Sequence, residues 1–113
     1  MIRKIFTAGS FLLLSSTMSF ADIQDACKGM SLVAESIMIE RQKGKSPEQI
    51  RNYWYGELVN EGHSNKPSTV NTIEYIIESA FQASIGNTLA QRQQFVDAMK
   101  QGIYLSCMRN SHS

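Results

Sequence analysis

DIQDACKGMSLVAESIMIERQKG, residues 22–44, is the stretch on which the fold turns. Ile23, Cys27, Met30, Ala34 and Ile37 recur in it at steps of three and four, with Ala26, Val33 and Met38 beside them. That spacing gathers an apolar stripe on one face of a helix. Asp22 and Asp25 sit in the first turn, where negative charge suits the helix dipole, and Arg41 and Lys43 sit in the last. Gly44 supplies the left-handed residue that often ends a helix. The helix is expected from about Asp22 to about Lys43, and its inward stripe contains a cysteine.

The second cysteine lies near the other end of the chain. Thr88 and Gln91 form a helix-capping pair, and Leu89, Phe95, Val96, Met99, Ile103 and Cys107 follow as an apolar face. Cys107 therefore occupies the inward stripe of the last helix, as Cys27 does in the first. Two cysteines allow one internal bond, two free thiols or a bridge to another chain. The agreement of both stripes favours an internal Cys27–Cys107 disulfide joining the first and last helices. Closing a loop of about 80 residues contributes about 4 kcal/mol. In a domain with about 5 to 10 kcal/mol in total, reduction is expected to be crippling.

Between these ends lie two more helical patterns. Ser46-Pro47-Glu48-Gln49 offers a serine cap, a proline at the first helical position and a glutamine three residues past the cap. Ile50, Tyr53, Trp54 and Leu58 then form an apolar face, with Gly62 as the expected stop. His63 to Pro67 reads as a loop. Ser68 is placed as the cap of a third helix, with Val70, Ile73, Ile77, Ala80 and Phe81 on its stripe, Ile76 adjacent, and an end near Gly86. The three isoleucines would also suit a strand, but the helical spacing continues for more than three turns. The expected fold is all-α, a compact antiparallel four-helix bundle-like domain with one disulfide. Neither repeats nor a separating linker divide it.

Residues 1–21 have the three parts of a secretory signal: Arg3 and Lys4, an apolar run from Ile5 to Leu14, and Ser19-Phe20-Ala21 before a cut after Ala21. The apolar run is about half the length of the roughly 20 residues a spanning helix needs. No stable membrane anchor is expected after cleavage. Cys27 is too far past the cut to be the lipid-modified first residue of a mature protein. The mature domain, 22–113, keeps nine basic residues against ten acidic ones. It has no basic run to serve nucleic acid or an anionic membrane. Residues 110–113 are expected to be a disordered tail. The expected location is the periplasm or the medium.

Cys27, the run Ile37-Met38-Ile39-Glu40-Arg41-Gln42-Lys43-Gly44, and a late aromatic segment ending in Cys107 together resemble small exported proteins of Gram-negative bacteria and their phages. The shared wording is Ile-Met-x-x-Arg-Gln-x-Gly between two cysteines. The spacing between the halves is longer here, through Tyr53-Trp54-Tyr55. That family carries no assigned activity, so the resemblance implies export and the disulfide but no mechanism.

Candidate chemistry is sparse. Arg41 and Gln42 could offer a guanidinium and an amide to a partner's carboxylate or phosphate. Alternatively Arg41 serves only the helix C-terminus or pairs with an acid such as Glu57. His63 with Glu57 and Glu61 falls short of the well-placed ligands a zinc site needs, so no metal and no cofactor is expected. Neither a nucleophile elbow nor a Cys-x-x-Cys motif occurs. Glu35 with Glu40, and Glu74 with Glu78, have helical spacing that suits a solvated face better than a carboxylate pair for glycoside cleavage. An enzyme is not expected.

Tyr53-Trp54-Tyr55 is the strongest lead. Successive helical residues point about 100° apart, so the three cannot all enter one core. If Trp54 packs inward, a tyrosine, Tyr55 above all, is expected at the rim with Arg51 one turn away. Such a patch has the composition of a contact surface, although tyrosines often lie over a core edge with their hydroxyls in water. The expected function is an exported binding module, an inhibitor or immunity-type protein acting on a protein of the cell envelope. Its contact residues are Arg51, Tyr53, Tyr55, Arg41 and Gln42. An envelope stress chaperone that exposes apolar surface at low pH is the alternative, and a small hydrolase a second one.

Overall fold

A computed structural model describes residues 19–62 and 67–111. Four helices make up the fold: α1 (Phe20–Gln42), α2 (Pro47–Asn60), α3 (Pro67–Phe81) and α4 (Leu89–Asn110). No strand occurs among the described residues. Most of the signal-like segment, His63 and His112 lie outside them.

The local chemistry of the ends matches the capping residues. Ser19 caps α1, accepting from the Asp22 N–H at 3.1 Å. This is two residues earlier than the apolar stripe suggests, and a cut after Ala21 would remove this exposed cap. Gly44, at φ +91°, takes the left-handed conformation beyond the C-terminus. At α2 the capping box is complete: Ser46 Oγ accepts from the Gln49 N–H, and Gln49 Oε1 accepts from the Ser46 N–H. Thr88 Oγ accepts from the Gln91 N–H at the start of α4. Asn110 is still helical, and Ser111 caps α4 with its N–H donating to the Cys107 carbonyl. The last two residues lie outside the described part.

α1 and α4 form the central pair, α3 lies against α1, and α2 packs on α3 with a lighter contact to α1. Ala34, Ile37 and Met38 from α1 meet Ile73, Ile76, Ile77 and Ala80 from α3, Ile50 and Leu58 from α2, and Val96 and Ile103 from α4. Cys27 and Cys107 are bonded, with Cα atoms 5.5 Å apart. The bond joins first and last helices across the core, as the two stripes require.

Three expectations are corrected. α3 begins at Pro67 itself, so Ser68 lies in the first turn rather than capping it; proline's fixed φ and missing N–H suit that position. It ends at Phe81, five residues before Gly86. The Gln82 and Ala83 N–H groups turn back to Ser79 and Ala80 in a tightened last turn. Leu89, read as part of the α4 stripe, is the first residue of that helix and is 79% exposed.

Candidate functional site

The five contact residues expected from sequence fall into three separate places. Arg41 and Gln42 point from the end of α1 to the α3–α4 connection. Arg41 donates through Nε and Nη2 to the Ala83 carbonyl, at 3.2 and 2.9 Å, and its guanidinium lies 4.5 Å from the Phe81 ring centroid. It stays in the last turn of its own helix, where its charge suits the dipole, but its hydrogen bonds go to the α3–α4 connection and not to Glu57. Gln42 is buried, and both ends of its amide are engaged: Nε2 donates to the Ser84 carbonyl, and Oε1 accepts from the Gly86 N–H at 2.8 Å. Arg92 Nε closes the loop from the other side, donating to the Gly86 carbonyl. Arg41, Gln42 and Gly44 of the Ile-Met-x-x-Arg-Gln-x-Gly stretch thus end one helix and fasten the connection between two others.

Arg51 and Tyr55 lie on the side of α2 that faces α3. Arg51 grips Glu74 with two hydrogen bonds, Nε to Oε2 at 2.7 Å and Nη2 to Oε1 at 3.1 Å. The Tyr55 hydroxyl donates to the same Oε2. The guanidinium first, and the phenol second, hold the Glu74 carboxyl below its ordinary pKa. In return the carboxylate pushes the Tyr55 phenol up. This network fastens α2 to α3 at the surface. Tyr55, expected to be the rim aromatic, is half-buried in it, and sequence offered no sign of the partner 19 residues on.

Of the three consecutive aromatics Tyr53 is the one that stands clear, 61% exposed. Its ring meets Trp54 edge to face, with centroids 5.4 Å apart, a favoured arrangement for two aromatic rings. Trp54 is half-buried against the core. Together they border a cleft of about 280 Å³ between α1 and α2, with Ile50 on its wall and Ser36 and Glu40 across from them on α1. Lys45 and Gln49 complete the lining. Glu40 accepts from Lys45 at 2.9 Å and from Lys43 at 3.2 Å. These bonds, the Lys45 one foremost, keep its carboxyl below the ordinary range despite some desolvation.

Three of the four carboxylates considered for glycoside cleavage have partners: Glu35 faces Lys100 at 3.5 Å, and Glu40 and Glu74 are paired as above. Among the described residues no three His, Cys, Asp or Glu side chains gather where they could hold a metal ion. No helix of the described residues is long and apolar enough to cross a membrane. The disulfide is compatible with an oxidising compartment outside the cytoplasm. Comparison with known proteins found no matching family model, curated protein or solved structure.

Proposed function

We propose that this chain is an exported binding module that acts by occupying a protein of the cell envelope, in the manner of an inhibitor or immunity-type protein. It would reach the periplasm or the medium after cleavage behind Ala21. One observation carries the reading: Tyr53 projects its ring into solvent from a helix, steadied by Trp54, beside a charged rim of Glu40, Lys43 and Lys45. A rigid, exposed aromatic with polar groups around it is the usual composition of an interaction hot spot. A stapled scaffold of this size limits the ordering cost of association. The resemblance to exported two-cysteine proteins agrees with the location and leaves the partner open.

Affinity capture from an envelope extract with the disulfide-bonded protein tests this. One dominant protein should be retained, and Tyr53→Ala should lose it while the melting temperature stays within a degree or so of wild type. Recovery no better than bare beads would overturn the proposal. A low-pH chaperone is a second reading because α2 is tied to α3 through a carboxylate, Glu74. It requires that a hydrophobic dye bind, and aggregation-prone clients be protected, near pH 3. A protein that stays closed there contradicts it.

A further inference from the structure

The geometry points to a ligand for the α1–α2 cleft that goes beyond the protein-partner reading: a neutral sugar ring of a glycan, stacked on one ring of the perpendicular Tyr53–Trp54 pair. The two charged residues that line the cleft match one to one, the Glu40 carboxylate against the Lys45 ammonium at 2.9 Å, while Lys43 reaches Glu40 from outside the lining with its side chain largely in water. The lining itself therefore presents no net charge to an ion. What remains uncommitted is neutral and polar. Neither the Ser36 hydroxyl, the Tyr53 hydroxyl nor the Trp54 indole N–H has a hydrogen-bond partner among the described residues. Gln49 uses its Oε1 on the Ser46 N–H, which leaves its NH₂ group available to a ligand.

A pyranose matches this inventory in both halves. Its ring hydroxyls accept and donate, as the hydroxyl, amide and indole groups require, and its axial C–H face is apolar and flat enough to lie on an aromatic ring. The volume of about 280 Å³ lies just below the usual range of small-molecule sites, which suits one or two sugar rings rather than a long chain. Polar groups come from both walls of the cleft, Ser36 from α1 and Gln49 from α2, where the two rings also lie. An apolar ligand would leave those polar groups without partners, at a cost in affinity.

Trp54 is the only tryptophan in the chain, so its emission reports binding without labelling, and the Ser36, Gln49 and Tyr53 variants separate the cleft from the apolar pocket that Trp54 also borders with Met30, Val33 and Leu58. The disulfide-bonded protein is titrated with cellobiose, maltose and diacetylchitobiose, with glycerol as the hydroxyl-rich control that has no ring. At least one disaccharide should give a saturable change that glycerol does not. Ser36→Ala and Gln49→Glu, the latter keeping the oxygen that caps α2, should each raise the dissociation constant about fivefold. Tyr53→Ala should raise it about tenfold. The far-ultraviolet dichroism of each variant must match wild type, and Tyr53→Phe, which keeps the ring, should retain most of the binding. A drift equal to that of glycerol, or a saturable change that ignores all these variants, overturns the assignment. If the sugars do nothing and an envelope protein captured through Tyr53 shifts the emission instead, the cleft belongs to the protein contact and the sugar assignment is wrong.

Discussion

The α1–α4 pair and α2 are held in opposite ways. α1 buries six residues, packs along much of α4, and is bonded to it covalently through Cys27 and Cys107. α2 buries only Ile50 and Leu58, and a surface cluster of Arg51, Tyr55 and Glu74 supplies its main polar attachment. Burial and a covalent link are insensitive to salt and mild acid, whereas a half-exposed ion pair is weakened by both. The exposed aromatic and one wall of the polar cleft lie on the lightly held helix. The frame keeps its shape, and the helix with the fewest anchors carries the candidate surface.

The largest expected effect comes from cutting the staple. Cys27→Ser with Cys107→Ser should lower stability by about 4 kcal/mol, read from urea denaturation. A loss below about 1 kcal/mol would show that the packing of α1 on α4 suffices alone. Next come core truncations. Ile37→Ala, at a fully buried site in α1, should cost about 3 to 4 kcal/mol, and Leu58→Ala, at the edge of the core in α2, about 2 kcal/mol. Equal losses would erase the distinction between frame and attachment. Gln42→Ala should cost about 2 kcal/mol, because it strands the buried Gly86 N–H and frees the 82–88 connection.

The smallest effect is at Glu74. Glu74→Gln should cost under about 1 kcal/mol, since the pair is half-exposed. The pH dependence has a definite sign. The Glu74 carboxyl titrates lower in the folded protein than its ordinary value, so its contribution is present above the ordinary carboxylate pKa of about 4.3. It is lost as the pH falls from there through the folded value. Wild type should therefore destabilise more steeply than Glu74→Gln below about pH 4, as followed by thermal melts. Parallel curves would remove Glu74 from the attachment of α2.

What was legible in the sequence follows the range of the physics. Stripes such as Cys27–Ala34–Ile37 and caps such as Ser46–Gln49 act within a few residues, so helices, core faces and the disulfide could be read from one strand of text. The Arg41 and Gln42 contacts could not. Their partners are backbone atoms of Ala83, Ser84 and Gly86, and any loop sequence offers the same groups. Gly86 was read as a helix stop, but it sits where a Cβ would come within 2.8 Å of the Arg92 nitrogen. Its role is a close approach set by tertiary packing. Tyr53 and Tyr55 exchanged their expected parts because one carboxylate on α3 decided which of them faces inward.

Residue-resolved hydrogen exchange of the oxidised protein at neutral pH tests the division between frame and attachment most directly. Amides of α1 and α4 around Cys27, Ile37, Val96 and Ile103 should exchange only through global unfolding. Those of α2 from Tyr53 to Leu58 should exchange through a smaller local opening that grows when Glu74 is replaced by glutamine. Protection in α2 equal to that of α1 and α4, and unchanged in the variant, would contradict the account.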